Sequence, residues 1–394
     1  MKIAFLTSTF PKLSETFIIN QITGLINAGH QVDIYAHSPE QVDLQHSIIS
    51  EYNLTERTTY THPPEDYLGG IRRVLSALAY HPDRAPQVVS SLRRGLSGRS
   101  RICFLDTVPN GYDLYHAHFG WVGEDTDFIP SLYDAPFVVS FYGNDAGAFL
   151  RQDPTRYDNL WNHADIITCL SFDMKEKIVN AGAPQEKIRI NPLSINLSNF
   201  NYSPTTKSSP LRIATIARLT EKKGLRYAIE GISKLPDELE VEYMIAGEGD
   251  QREDLEALIK SERLENTVEL LGWLDQSEID NLLEESHLFL LPSHTASNGD
   301  REGTPTALLE AQASGLPIIS TYHAGIPEIV QEQECGYLCP VMDSDSIANA
   351  ILDLCERSGE WEEMAQKGRE YIAEVHSREA QTDRLENIYK EVTS

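Results

Sequence analysis

The sequence has few cysteines and no long run of apolar residues. Its five cysteines are scattered, odd in number and without a CxxC pair, so neither a disulfide framework nor a zinc site is predicted. No stretch approaches the ~18 apolar residues typical of a transmembrane helix. The first apolar run, KIAFL at 2–6, is too short for a signal peptide. We therefore expect a cytoplasmic protein with buried free thiols.

Positive charge is also scarce. Lysine and arginine number 33 against 60 aspartates and glutamates, which gives a net charge of -27. Such a surface repels a phosphate backbone, so no nucleic-acid partner is expected.

Residues 71–101 are the exception, because they hold seven arginines and one acid, Asp83. The arginines are Arg72, Arg73, Arg84, Arg93, Arg94, Arg99 and Arg101. We hypothesise that this basic segment contacts anionic lipid at the inner face of the membrane, or a lipid-linked acceptor. A solvated helical hairpin is the alternative interpretation.

Strands alternate with helices along two blocks of the chain. The first block opens with KIAFL and a helix for which Ser14 is a plausible N-cap. Residues 192–210 are rich in Pro, Ser, Thr and Asn and predict a linker, after which LRIATIARL restarts the alternation. This pattern predicts an α/β protein with two parallel sheets.

We predict a first domain at 1–195, a linker at 196–210, a second domain at 211–372 and a helix at 373–394 that returns to the first domain. The two domains are expected to face each other across a cleft. Ligands of such sheets bind beyond the carboxyl ends of the strands, so the loops that follow strands are where chemistry is expected.

The stretch GEGDQR at 247–252 follows a predicted strand and opens a helix. It lacks the third glycine of the dinucleotide fingerprint, and Trp273 stands near the position of the expected acidic ribose ligand. An NAD site is therefore not predicted. A turn that approaches a phosphate is the alternative interpretation. Gly249 and Trp273 are kept as candidates for the nucleotide pocket.

Two Asp-x-Asp triplets could in principle hold Mg²⁺ against a diphosphate. Asp343 and Asp345 precede an apolar helical pattern, so an N-cap role is the better interpretation there. Asp125 and Asp127 lie in a polar stretch, for which a metal site is also the weaker interpretation. We expect no metal.

The stretch GDREGTPTALLE at 299–310 carries Glu302 and Glu310. Thr304 suits an N-cap, Pro305 suits the first helical position, and Gly315 suits the end, which predicts a helix over 305–314. The free N–H groups at its start favour a phosphate. At helical rise the two glutamates are roughly 12 Å apart. Because carboxylates that act on one bond lie about 5–9.5 Å apart, the pair is expected to bracket a longer ligand, a nucleotide sugar.

The stretch ARLTEKKG supplies the cations that a diphosphate needs. Arg218 and Lys223 follow a predicted strand in the same half of the chain as the glutamates. Arginine grips two phosphate oxygens at once, and lysine adds a mobile point charge. A solvated basic turn is the alternative.

The combination of ARLTEKKG, the Glu302/Glu310 pair and Gly315-Leu-Pro is similar to the retaining glycosyltransferases of family 4, which have the GT-B fold. The stretch TASNGDREGTPTALLEAQASGLPIISTYHAGIPEIV resembles the branch that builds bacterial exopolysaccharides, and so does FPKLSETFI near the N-terminus. The resemblance extends over nearly the whole chain.

The resemblance implies a role for each candidate residue of the second half. Arg218 and Lys223 would contact the donor diphosphate, Glu302 would face the transferred sugar, and Glu310 would hold the ribose hydroxyls. Backbone amides in the stretch Gly303, Thr304, Pro305 and Thr306 would complete the phosphate cradle.

For the first half, the resemblance implies a histidine near the reacting carbon. His118 of HAHFG fits this position, and His116 shares its face of the strand. The chain departs from the family's pattern in three loops. No glycine pair lies between Thr7 and Thr16, Tyr142-Gly143 replaces a common His-Gly, and PLSIN at 192–196 replaces Asn-Gly-Ile-Asp. Because these loops bear on the acceptor or the sugar, the resemblance does not identify the acceptor.

The implied reaction transfers a hexose from a nucleotide diphosphate sugar to a hydroxyl with retention of configuration, by same-face attack and without a metal or other cofactor. UDP-sugars are favoured as donors and GDP-sugars come second. The acceptor is a glycan, a lipid-linked molecule or a small molecule. A UDP-sugar epimerase of the same fold and a non-catalytic nucleotide-sugar-binding subunit are the alternatives.

Overall fold

The computed structural model describes residues 1–12, 15–40, 47–62, 67–80 and 97–393, together with 82, 85, 86 and 89. The chain divides into two compact units. Unit 1 comprises 1–170, 175–191 and 381–394, and unit 2 comprises 171–174 and 192–380.

Unit 1 contains a seven-stranded parallel sheet in the order β3-β2-β1-β4-β5-β6-β7. Its strands are β1 (Lys2–Thr9), β2 (Gln31–Ser38), β3 (Thr58–Tyr60), β4 (Leu114–His118), β5 (Phe137–Ser140), β6 (Ile166–Cys169) and β7 (Ile188–Ile190). The central strands are buried along most of their length, as expected for a parallel sheet covered on both faces. The strand order reverses between β1 and β4, where ligand crevices form in such sheets.

The α-helices described in unit 1 connect these strands. They are Thr16–Asn27, Ser47–Glu51, Tyr67–Tyr80, Ser97–Thr107, Gly120–Thr126, Ile129–Tyr133, Leu150–Gln152, Asp158–His163 and, across the boundary with unit 2, Phe172–Asn180. The first helix has Glu15 at its N-cap position without a side-chain cap. The predicted cap, Ser14, lies outside the described residues.

Unit 2 contains a six-stranded parallel sheet in the order β10-β9-β8-β11-β12-β13. Its strands are β8 (Leu211–Ile216), β9 (Val241–Ala246), β10 (Val268–Gly272), β11 (Leu288–Leu290), β12 (Ile318–Thr321) and β13 (Gly336–Cys339). Its α-helices are Leu225–Ile232, Arg252–Ser261, Gln276–Glu285, Thr306–Ser314, Ser344–Glu356 and Trp361–Tyr371, and Arg378–Thr393 then runs into unit 1. The strand order reverses between β8 and β11.

Single-turn helical segments complete the described structure. They are Asp145–Phe149, Gln185–Lys187, Leu197–Asn199, Glu221–Lys223, Ile326–Glu328, Ser358–Glu360 and Ile372–His376.

Two helix starts in unit 2 are capped by aspartates, and the second of them was predicted from the sequence. Asp275 accepts from the N–H of Glu278 at 3.0 Å, and Glu278 accepts from the N–H of Asp275 at 2.8 Å, which is a complete capping box. Asp343 accepts from the N–H of Ser346 at 3.0 Å and caps the helix Ser344–Glu356. The second Asp-x-Asp triplet is therefore a helix start.

The segment predicted as a linker packs within unit 2. The N–H of Ser203 donates to the carbonyl of Ser314 at 3.0 Å. The guanidinium of Arg369 donates to the carbonyls of Phe200 and Ala313. These bonds satisfy chain-end carbonyls of the helix Thr306–Ser314 and fix the segment, which composition alone did not indicate.

The last helix, Arg378–Thr393, passes from unit 2 to unit 1 at residue 381. The hydroxyl of Tyr389 lies 2.7 Å from Nδ1 of His116, and Glu386 lies 2.6 Å from His30. The prediction that the C-terminal helix packs on the first domain is confirmed.

All five cysteines are buried free thiols, as predicted. Burial raises the pKa of Cys103 and of Cys335 to about 11, so both stay protonated at neutral pH. Within the described residues, no helix is both long and apolar enough to cross a membrane.

The basic segment at 71–101 is less free than its composition suggests. Arg73 pairs with Asp106 at 2.6 Å, and Arg101 forms a buried ion pair with Asp127. Of the other arginines, Arg72 is exposed, while Arg84, Arg93, Arg94 and the Arg99 side chain lie outside the described residues. Lipid contact by this segment stays a prediction.

The Arg101–Asp127 pair gives a test of how unit 1 is held together. Removing one partner of a buried ion pair leaves an uncompensated charge and typically costs about 3–5 kcal/mol. We expect Arg101→Met to lower the thermal midpoint by on the order of 10 °C. The exposed Arg72→Met is the matched control and should leave the midpoint nearly unchanged. Equal midpoints for the two variants in scanning calorimetry would contradict a structural role for Arg101.

Candidate functional site

The candidate site of unit 2 lies at the carboxyl ends of β8 and β11, the neighbouring strands where the strand order reverses. The loop after β8 carries Arg218 and Lys223, and the loop after β11 carries Glu302. We call these the β8 loop (217–224) and the β11 loop (291–305). The switch point of an open α/β sheet is where ligands bind, so the topology brings the predicted residues to the expected place.

Three consecutive residues of the β8 loop pair with three residues of the β11 loop. The pairs are Glu221 with Ser297, Lys222 with Asp300, and Lys223 with Glu302. Their distances are 2.7 Å between Glu221 Oε2 and the hydroxyl, 3.2 Å between Lys222 Nζ and the carboxylate, and 2.8 Å between Lys223 Nζ and Glu302 Oε1. The two loops are thus joined by a short ladder of polar contacts.

A glycine makes this close approach possible. Gly224 has a φ of 66°, and a Cβ built there would lie 2.0 Å from the carbonyl oxygen of Pro292. The N–H of His294 donates to the carbonyl of Lys222 at 2.8 Å. Any side chain at 224 would strain the backbone and push the loops apart.

Glu302 is a buried, ionised carboxylate. Burial alone would raise its pKa, but attraction from Lys223 and Lys222 outweighs burial, so the pKa of Glu302 lies below its ordinary value. Its side chain is 8% exposed, and that of Lys223 is 13% exposed. The sequence analysis gave these residues separate partners, a sugar and a diphosphate. The structure instead pairs them with each other.

The side chain of Arg218 is exposed and makes no ion pair or hydrogen bond within the part of the chain that the structure describes, while its carbonyl accepts from the N–H of Thr220 at 2.8 Å. The next loop along the sheet supports its backbone closely. A Cβ at Gly249 would lie 2.3 Å from the carbonyl oxygen of Leu219, and one at Gly247 would lie 1.9 Å from that of Ala217. These glycines are therefore required by loop packing. Trp273 follows β10 at the same edge of the sheet and is 65% exposed.

The helix of the candidate phosphate cradle is Thr306–Ser314, one residue shorter at its start than predicted. Pro305 occupies the N-cap position with an extended ψ of 113°, so the prediction that Thr304 is the cap is wrong. Within the described residues, the N–H groups of Gly303, Thr304 and Thr306 make no backbone hydrogen bond. They are open to an anion.

Glu310 lies on the first turns of this helix and is half-buried. Burial, together with repulsion from Asp280, raises the pKa of Glu310 to about 7. Its carboxylate has no hydrogen-bond partner among the described residues, so it is available to ligand hydroxyls. The separation of roughly 12 Å from Glu302 stays a prediction.

His323 is a site residue that the sequence analysis missed. It follows β12, is 5% exposed, and its Nε2 lies 3.5 Å from the N–H nitrogen of Glu302. The neighbouring Gly325 packs on the carbonyl of Gly303, 3.0 Å from where its Cβ would be. The sequence did contain a signal for His323, because this residue follows the predicted strand IIST and functional residues were expected in loops after strands.

In unit 1, His118 lies at the end of β4, as predicted, but its side chain is fully buried. Nδ1 lies 2.7 Å from the hydroxyl of Tyr142, and the ring stacks on Phe5. Nε2 is buried without a hydrogen-bond partner. Burial, and then the neighbouring His116, hold the pKa of His118 well below its ordinary value, so the ring is neutral.

The sequence analysis placed His118 beside the reacting carbon, and the structure does not expose it there. Tyr142, noted only as a departure from the family, is the residue that fixes the ring. His116 faces the same side, with ring centroids 4.3 Å apart, and binds Ser140 at 2.7 Å.

No metal centre is assembled by the residues that the structure describes. Within them, no three His, Cys, Asp or Glu side chains are grouped in a way that could hold an ion. Asp127 of the first Asp-x-Asp triplet is engaged by Arg101. Independence from metal stays a prediction.

The fold and the site together define a glycosyltransferase of the GT-B class. Residues 14–199 match the family described as Glycosyltransferase Family 4, and residues 202–371 match Glycosyl transferases group 1. The chain is 34% identical to the amylovoran biosynthesis glycosyltransferase AmsK of Erwinia amylovora, over 90% of this chain and 91% of that protein. The chain therefore belongs to glycosyltransferase family 4, as the sequence resemblance indicated.

Two further comparisons agree. The chain is 33% identical to the putative colanic acid biosynthesis glycosyltransferase WcaL of Escherichia coli strain K12, over 89% of this chain and 90% of that one. The structure of Anabaena HepE in complex with UDP matches with a TM-score of 0.73 at 16% identity, covering 99% of this chain and 100% of that one. The last likeness concerns the fold alone.

Gly249 offers a test of the loop packing. We expect Gly249→Ala to displace the β8 loop, because its methyl group would overlap backbone atoms of Leu219. Transfer activity should fall at least tenfold, a cost of about 1.4 kcal/mol or more in transition-state binding. Gly359→Ala is the control, since no atom lies within 4 Å of its added Cβ. Unchanged activity in Gly249→Ala would show that this packing does not position the site.

Proposed function

We propose that this chain transfers a hexosyl group from a nucleotide diphosphate sugar to a hydroxyl of a growing exopolysaccharide or its lipid-linked precursor, with retention of configuration. UDP-sugars are the first candidates for the donor and GDP-sugars the second. The observation that carries the proposal is the convergence of Arg218, Lys223 and open N–H groups at the switch point of unit 2.

The charge distribution supports a diphosphate as the group bound there. The chain carries a net charge of -27, yet the β8 loop brings Arg218 and Lys223 to one strand end. The helix start at Thr306 adds the positive end of a helix dipole. As the sugar–phosphate bond breaks, charge grows on the leaving diphosphate, and preorganised groups of this kind stabilise it.

Glu302 and Glu310 supply acceptors for hydroxyl groups. Glu310 is half-buried and without a protein partner among the described residues, which suits a pair of ribose hydroxyls. Glu302 lies in the β11 loop beside the diphosphate cations and suits the hexose. A role of His118 beside the reacting carbon stays a prediction.

The proposed chemistry is a same-face displacement. The anomeric carbon–phosphate oxygen bond breaks, the acceptor oxygen attacks on the face the diphosphate leaves, and the acceptor's proton passes to a leaving phosphate oxygen. Side-chain cations neutralise the diphosphate, so we propose that no metal is needed.

The relatives' names support an exopolysaccharide acceptor. AmsK is named for amylovoran biosynthesis and WcaL for colanic acid biosynthesis. HepE, which shares the fold, was solved with UDP and with UDP-glucose.

The proposal is tested by incubating the protein with UDP- and GDP-sugars and glycan acceptors. Nucleotide release should depend on acceptor, survive EDTA, and give a product whose anomeric proton coupling by NMR matches the donor. Arg218→Ala should lower kcat by about 10²–10³-fold, more than it weakens donor binding. Arg226→Ala, at an exposed arginine that pairs with Glu230, is the control.

Three outcomes would contradict the proposal. They are donor conversion without acceptor, as in an epimerase; an inverted product; and the absence of binding to every nucleotide sugar.

The raised pKa of Glu310 predicts a pH dependence of donor binding. Hydroxyl donors stabilise the ionised carboxylate, so donor affinity should rise as pH increases through about 7 and level off near pH 8. UDP-glucose is a suitable probe, because its diphosphate does not titrate in this range. Calorimetry from pH 5.5 to 8.5 measures the effect. Glu310→Gln should bind more weakly and without this dependence, and an unchanged slope would exclude Glu310 as its origin.

A further inference from the structure

The three pairs between the β8 and β11 loops differ in kind. Glu221–Ser297 and Lys222–Asp300 involve residues for which the proposed reaction has no use. Lys223–Glu302 joins a residue proposed to bind the diphosphate to one proposed to face the sugar. In the described state the two are paired, so a donor phosphate that binds Lys223 meets the carboxylate of Glu302 at the same ammonium group.

Lys223 already holds an anion, and that anion is a carboxylate of the protein. Its Nζ lies 2.8 Å from Glu302 Oε1, and both side chains are nearly buried. A phosphate oxygen on the donor would compete with this carboxylate for the same ammonium group. It would also be repelled by the negative charge of Glu302 while the pair persists.

The surroundings allow one anion to replace the other. Separating a buried pair is unfavourable when a charge is left without a partner. Here the diphosphate supplies a new anion to Lys223. Lys222 stays paired with Asp300 but also attracts Glu302, so it offsets part of the charge left on that carboxylate.

We infer that the donor diphosphate takes Lys223 from Glu302 and so releases Glu302 toward the sugar, while Glu221, Lys222 and Asp300 are positioning residues that keep the two loops joined. This inference rests on the proposed function. It adds that Glu302 is a built-in competitor of the diphosphate, available for the sugar only when a donor is bound.

The two outer pairs can stay intact during this exchange. Ser297 donates to Glu221 through both its N–H, at 2.8 Å, and its hydroxyl, at 2.7 Å. The backbone bond from His294 to Lys222 adds a third tie, at 2.8 Å. The β11 loop therefore keeps its place when its Glu302 carboxylate moves.

The test uses UDP alone, which carries the diphosphate without the sugar. We expect Glu302→Gln to bind UDP about tenfold or more tightly in calorimetry, because a competing, repelling carboxylate is removed, a change of about 1.4 kcal/mol. Turnover of the sugar nucleotide should be lost. Glu253→Gln, an exposed acid of the same unit, is the control and should leave UDP affinity unchanged.

A double-mutant cycle tests whether the tighter UDP binding of Glu302→Gln depends on Lys223. Lys223→Gln should weaken UDP binding, and Glu302→Gln added to it should give little further gain. Equal or weaker UDP binding by Glu302→Gln than by the wild type would overturn the inference and leave the transferase proposal standing. If the wild type binds neither UDP nor any nucleotide sugar, the proposed function itself is wrong.

The positioning role has a separate readout. Asp300→Asn should lower kcat about tenfold with a UDP affinity within about threefold of the wild type, and Asp300→Glu should restore most of the rate. A fall in thermal midpoint with kcat unchanged would mean that Asp300 is structural only, and would remove it from the inference.

Discussion

The site depends on how closely two loops of one sheet edge approach each other. Gly224 permits backbone contact between the β8 and β11 loops that no other residue would allow without strain. That contact brings a run of three residues, Glu221 to Lys223, against the loop before the helix Thr306–Ser314. Gly247 and Gly249, which follow β9, allow the backbone there to approach the β8 loop closely. Lys222 and Lys223 can pair with Asp300 and Glu302 because the close backbone approach of the two loops brings these side chains within reach.

Electrostatics then decides what this arrangement can bind. The diphosphate proposed as ligand is negatively charged, and so is most of this acidic chain, so its binding would depend on the few cations of the β8 loop and on the start of the helix Thr306–Ser314. The two acids of the site are set differently by their surroundings. Lysines keep Glu302 ionised, whereas burial and Asp280 hold Glu310 near its point of half-ionisation at neutral pH. Two residues of one type thereby acquire different chemistry from position alone.

Local features were predictable from sequence and long-range ones were not. The caps at Asp275 and Asp343 depend on residues three positions apart, so the printed letters contain them. The Lys223–Glu302 pair joins loops 79 positions apart, and only the strand order makes them neighbours. The ring of His118 is held by Phe5 of β1 and by Tyr142, which follows β5. The family resemblance named residues of unit 2 that the β8 and β11 loops bring together, but it did not indicate which of them pair with each other.

The path of the chain has a consequence for engineering. Apart from residues 171–174, unit 2 is a single stretch, 192–380, with unit 1 on both sides of it. In topological terms the donor half is an insertion, and the last helix belongs to its host through Tyr389 and His116. A hybrid enzyme that borrows unit 2 from another glycosyltransferase therefore needs two splice points. One junction would leave the host without the helix that completes its core.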